Sequence, residues 1–196
     1  MNKRSHLFLT GKIAKNLPEE KKRWVLFGSI LPDILCHTYL KGHTWESSFD
    51  RIEKRMYGLE QQGGDNRFSY LMLGWVLHYV EDFYTLAHNP MFAGDLPDHI
   101  LYERQLEDYL KEKAVFPEKE NMPAMSLAAT LRYLRENHER YLTKAGNFET
   151  DIYYIYEAVQ AVSSCLLRAI AVNAGKEKET ERISVHAIPD YHKVRL

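Results

Sequence analysis

The segment that most constrains this chain is residues 68–87, an apolar run that carries a histidine and acids in its middle. Its centre reads Leu71-Met72-Leu73-Gly74-Trp75-Val76-Leu77-His78-Tyr79-Val80-Glu81-Asp82-Phe83-Tyr84. A stretch this apolar belongs inside a fold, so His78 and Asp82 go in with it. An ionised carboxylate buried alone is costly. No Lys or Arg stands between Arg67 and Arg104 to offset it, whereas His78, His88 and His99 do lie there. A cation supplied from outside the chain is the simplest physical partner.

The remaining pattern is helical from end to end. Apolar positions at helical spacing predict helices over residues 5–16, 19–39, 45–62, 68–87, 98–113, 124–145 and 148–174. Pro18 suits the first turn of the second helix, and Pro32 predicts a kink or break before Asp33. Thr44 is a capping residue for the third. Gly63-Gly64-Asp65-Asn66 breaks the chain before the fourth, and residues 117–123 form a charged connector. No strand pair or internal repeat is evident. The expected fold class is all-α, a single-domain multi-helix bundle over residues 1–174, followed by a charged tail over residues 175–196.

Composition excludes several function classes. With 45% hydrophobic residues the chain can bury a sizeable core. Its 26 basic and 27 acidic residues leave a net charge of −1, which gives no global field for nucleic acid. Two cysteines, Cys36 and Cys165, exclude a disulfide scaffold and a cysteine-rich zinc module. The apolar run Leu7 to Leu9 is too short for a secretory leader, and nowhere do about eighteen uncharged apolar residues run together. A cytoplasmic protein without a stable membrane span is expected.

Residues four apart on a helix share a face, so His78 and Asp82 reach one point, as do His99 and Glu103 on the next helix. Imidazole and carboxylate together form a donor set that zinc accepts. Chance provides about one His-x-x-x-acid pair in a chain of this composition. Three are present, and the third, His186 to Asp190, is interrupted by Pro189 and falls in the tail. His138 reads as an exposed helix residue without a role.

The block His78-x-x-x-Asp82-x-x-x-x-x-His88, followed by His99-x-x-x-Glu103, resembles the signature of the zinc-dependent phospholipase C family. More distantly it is similar to single-strand-specific zinc nucleases. Gly28-Ser29-Ile30-Leu31-Pro32-Asp33 looks like the family's early aspartate segment, Gly42-His43-Thr44 like its next histidine, and Ser5-His6-Leu7-Phe8 like its N-terminal helix histidine. The resemblance covers roughly residues 5–110. It implies an all-helical fold with Zn2+ held by Asp33, His43, His78 and Asp82 in one site and by His88, His99 and Glu103 in a second. It further implies a third ion held by His6 with Asp82 bridging. His37 also follows Asp33, but His43 precedes a helix start and is preferred.

Two departures bear on these expectations. The secreted family members complete the third zinc with an N-terminal tryptophan, whereas this chain begins Met1-Asn2-Lys3 and has its first tryptophan at Trp24. Two filled sites are therefore expected, with the third incomplete or empty. The family's proline and asparagine around the third histidine are replaced here by Leu86 and Met91.

The implied activity is metal-dependent hydrolysis of a phosphodiester, phospholipase C-like, with a water acidified by the metal attacking phosphorus and Asp33 as ligand and proton acceptor. The substrate would be a small phosphodiester or a phospholipid head group. Phe49, Tyr57, Tyr84 and Phe92 are candidates for an apolar rim. A single-strand nuclease would instead use the basic cluster Lys41, Arg51, Lys54 and Arg55. A non-catalytic helical module with structural zinc is the remaining alternative.

Overall fold

The computed structural model describes residues 1–35, 42–113, 116 and 125–186, the last ten of these by their backbone alone. Seven α-helices run through the described residues: α1 Lys3–Ile13, α2 Glu19–Ile34, α3 Trp45–Gln62, α4 Arg67–Phe83, α5 Leu96–Glu112, α6 Leu127–Leu142 and α7 Phe148–His186. Short 3-10 turns at Ala14–Asn16 and Leu86–His88 join them, and no strand occurs among the described residues.

Most helix starts have a local chemical cause. Asn2 accepts from the backbone N–H of Arg4 and Ser5, which starts α1 earlier than its apolar spacing implies. Thr44, Asn66 and Ser126 accept from Ser47, Ser69 and Ala129 at the starts of α3, α4 and α6. Asp95 and Asp98 form a reciprocal capping box on α5, and Pro97 falls in its first turn. Pro32 does not break α2, which continues to Ile34. The proline φ is itself helical, and one turn from the helix end only a single backbone bond is forfeited. That extra turn carries Asp33.

α4 is the central helix: every residue from Leu73 to Phe83 is buried. It crosses α2 at two glycines. A Cβ on Gly28 would lie 2.0 Å from the Leu71 carbonyl oxygen, and one on Gly74 would lie 2.0 Å from that of Val25. Only with both positions bare can the two backbones touch. α7 lays Ile155, Val159, Val162, Leu166 and Ile170 against the core. Its Phe148–Lys176 portion is long and apolar enough to cross a membrane, but most of that window is buried against other helices. The helix backbone continues through the charge run 176–182.

Candidate metal centre

α4 meets five other pieces of chain at one of its ends. α4 supplies His78 and Asp82 one turn apart, and the buried face of α1 supplies His6. The last turn of α2 brings Asp33, and the residue before the Thr44 cap is His43. The 3-10 turn ends in His88, while α5 presents His99 and Glu103 on one face. All eight residues singled out from the sequence come together. Their donor atoms fall into three groups, each within 4.8 Å: His6, His78 and Asp82; Asp33, His43 and His78; His88, His99 and Glu103. His37 lies outside the described residues.

Asp82 is the hub. Its Oδ2 is 3.0 Å from His43 Nδ1 and 3.3 Å from His78 Nε2, and its Oδ1 is 3.4 Å from His6 Nε2 and 3.5 Å from His88 Nε2. Glu103 Oε1 is 3.0 Å from His99 Nε2 and 3.4 Å from His88 Nε2. Tetrahedral ligands on zinc at about 2.1 Å stand about 3.4 Å from one another. The 3.3–3.5 Å separations are compatible with donors around a common ion, and the 3.0 Å ones are also hydrogen-bond distances.

Two contacts behind the histidines aim their rings. His78 Nδ1 is 2.8 Å from the Ser29 carbonyl, which can only accept, so a neutral ring turns its Nε2 lone pair toward the cluster. His6 Nδ1 lies 2.5 Å from Glu81, whose other oxygen accepts from Thr10 at 3.0 Å. Backing of a ligating imidazole by a carbonyl or carboxylate fixes its orientation and raises its basicity. Glu81, fully buried, is a functional candidate not singled out from the sequence. The signal was present: it adjoins Asp82 in the same base-free apolar segment.

The amino group of Met1 also enters the cluster, 2.5 Å from Asp82 Oδ1, 2.7 Å from His88 Nε2 and 3.3 Å from Glu103 Oε1. Burial alone would lower the pKa of this amine, but Asp82, Glu103 and Asp33 outweigh burial and push it up to about 10. Burial likewise opposes charge on His6, and Asp82 and Glu81 overcome it to push that ring up to about 10. For His78 burial prevails, aided by repulsion from His6, and holds the ring well below its ordinary value. Burial also takes His88 down to about 4. Burial pushes the Asp33 carboxyl up. For Asp82 the neighbouring imidazoles and the Met1 amino group, and for Glu103 that amino group with hydrogen bonds from His88 and His99, win over burial and hold both carboxyls well below the usual range.

Among the described residues no Lys or Arg side chain pairs with Glu81, Asp82 or Glu103. Buried acids and imidazole lone pairs converging without basic side chains fit divalent cations with borderline preferences, zinc first among them. The cluster forms the floor of a cleft of about 940 Å³ reached by Asp33, His43, His88, His99 and Glu103. Leu96 and Ile100, 67% and 42% exposed, line its mouth together with Lys3 and Arg104.

Several expectations away from the cluster are corrected. Phe49 and Tyr84 are core residues, not rim: Phe49 stacks on Trp45, and Tyr84 donates its hydroxyl to the Leu134 carbonyl. Arg51 and Arg55 lie over the rings of Tyr79 and Trp75, so their charge is spent on core-edge packing. Lys41 lies outside the described residues. His138 is buried, stacked 4.1 Å from Trp45 with Nε2 3.2 Å from Asn89 Oδ1.

No curated protein and no solved structure matches the chain. The sequence profile of the zinc dependent phospholipase C family matches residues 5–148, well over half of the chain, and spans every candidate ligand from His6 to Glu103. With that match and an all-helical fold carrying the donor groups, the chain belongs to the zinc dependent phospholipase C family.

Proposed function

We propose that this protein is a zinc-dependent phosphoric diester hydrolase that cleaves a phospholipid on the glycerol side of its phosphate. The observation that carries the reading is the convergence of Asp33, His43, His88, His99 and Glu103 on a cleft whose lining also includes the exposed apolar side chains of Leu96 and Ile100. In that reading Asp33, His43, His78 and Asp82 hold one ion, His88, His99 and Glu103 a second, and His6 and Asp82 contribute to a third. Zinc, when bound, supplies Lewis acidity and lowers the pKa of water from 15.7 toward about 7.

The chain's own residues do the rest. Asp82 spans the donor groups and fixes their spacing. Asp33 reaches the cleft and takes the proton from the attacking water. Leu96 and Ile100 meet the acyl chains, while Lys3 and Arg104 lie beside the phosphate's approach. The exposed Leu96 and Ile100 favour a lipid, while Lys3, Arg4, Arg104 and Lys111, which also line the cleft, suit a phosphate of either substrate class; Arg51 and Arg55 are committed to packing. The group of His88, His99 and Glu103 supplies three ligands and faces the cleft, which favours catalysis over a closed structural site.

The test is protein purified without an affinity tag, analysed for zinc per chain and assayed on phosphatidylcholine micelles and on single-stranded DNA. Zinc-dependent release of the phosphorylated head group, abolished by a chelator and restored by zinc, is expected. Asp82→Ala should lose bound metal and activity together. Cleavage of DNA alone would establish the nuclease alternative, and zinc without hydrolysis of either substrate would establish a structural module.

A further inference from the structure

We propose that Asp151, on α7 and outside the ligand set, is the positioning residue for the His88, His99 and Glu103 group. The inference rests on the zinc reading above and adds to it the device that holds one site in register. Oδ2 of Asp151 accepts from the backbone N–H of Leu86 at 2.9 Å and from the Tyr102 hydroxyl at 2.6 Å. Oδ1 accepts from the Tyr141 hydroxyl at 2.9 Å. Leu86 opens the 3-10 turn that ends in His88, and Tyr102 sits on α5 between His99 and Glu103. One carboxylate oxygen therefore ties together the two separate pieces of chain that carry this ligand group.

The chemistry of the tie points the same way. Asp151 is fully buried, and its three hydrogen-bond partners are neutral donors. A carboxylate with no paired cation is an expensive way to join helices. Acceptance at both oxygens, from three donors in all, is what an amide in its place cannot reproduce, because its NH2 group only donates. Asn89 braces the far end of the Leu86–His88 turn against the end of α4, and Asp151 ties its near end to α5. Outer partners of metal ligands, when removed, weaken metal binding about 10–100-fold.

The alternative is that Asp151 merely anchors α7 to α6 through Tyr141. Zinc titration against a chromophoric chelator separates the two, with cobalt substitution reporting ligand geometry by its visible spectrum. Asp151→Ala and Tyr102→Phe should each weaken one zinc about 10–100-fold and leave the remaining ions unchanged. Tyr141→Phe should leave every affinity at the wild-type value, and Asp151→Asn should recover part of the loss. Should Asp151→Ala fail to fold, Tyr102→Phe carries the same test. Unchanged affinity in Asp151→Ala and Tyr102→Phe, or an equal loss in Tyr141→Phe, overturns the inference. Wild-type protein that binds no zinc would overturn the underlying metal reading instead, and the titration shows this before any variant is made.

Discussion

At the scale of single residues, two buried titratable groups outside the ligand set work against each other. Burial pushes the Asp151 carboxyl up to about 6, against the hydrogen bonds from Tyr102, Leu86 and Tyr141. Burial takes the His138 imidazole down to about 4, against the charge of Glu46. The stability Asp151 contributes is present below its unfolded value near 3.8 and lost as pH rises through about 6. That of His138 is present above 6.5 and lost as pH falls toward about 4. Each shift is worth about 3 kcal/mol, with opposite sign, so together they flatten the profile between pH 4 and 6. Urea midpoints measured with chelator present should show this. Asp151→Asn should lose stability more steeply on acidification than wild type, and His138→Gln less steeply. Parallel profiles for all three proteins would mean that these groups titrate normally. The same residues mark what was legible in sequence. His78 with Asp82, and His99 with Glu103, were readable because a helix fixes residues four apart on one face. Asp151 and His138 were not, since Tyr102 and Leu86 reach Asp151, and Asn89 reaches His138, from 49 or more residues away.

At the scale of helices, the crossing of α2 with α4 sets the geometry of the centre, because Ser29 and Asp33 ride on one helix and His78 and Asp82 on the other. Gly74→Ala would put a Cβ 2.0 Å from the Val25 carbonyl, a backbone atom that moves only if the helix moves. We expect a loss of about 3 kcal/mol or more, together with weakened zinc binding as the Ser29 carbonyl withdraws from His78. Gly58→Ala on α3 meets nothing within 4 Å and should stabilise by about 0.5–1 kcal/mol. Chemical denaturation of the pair checks the sign; equal effects would remove the close approach as the reason for Gly74. The start of α3 was legible in its Thr44 cap and that of α4 in the breaker ending at Asn66, whereas the apolar spacing over 124–145 runs through Ser126, which caps α6. The end of α4 was not. It stops at Phe83 because Thr85 turns its hydroxyl back to the Glu81 carbonyl and Asn89 donates to the carbonyls of Phe83 and Thr85. Side chains that compete for backbone acceptors end a helix whose apolar spacing would otherwise continue it.

At the scale of the whole molecule, the cluster draws on α1, α2, α4, α5, the 3-10 turn with His88 and the chain before α3, so bound ions would join parts otherwise held by packing and side-chain hydrogen bonds. Metal that binds only the folded state stabilises it by about 4 kcal/mol when free zinc stands at a thousand times its dissociation constant. For a chain of this length that amounts to about 8–16 °C in the unfolding midpoint. A chelator should therefore lower the midpoint by that order while far-UV circular dichroism at 25 °C stays helical. The apolar interior of α4 and α7 lies mainly away from the ligands and retains the fold. A midpoint indifferent to the chelator would mean that the donor groups hold no metal, whatever their spacing. Collapse of the helical signal at 25 °C would mean instead that the ions are needed for the bundle itself, and the cleft would lose its claim to be a catalytic site built on an independent scaffold.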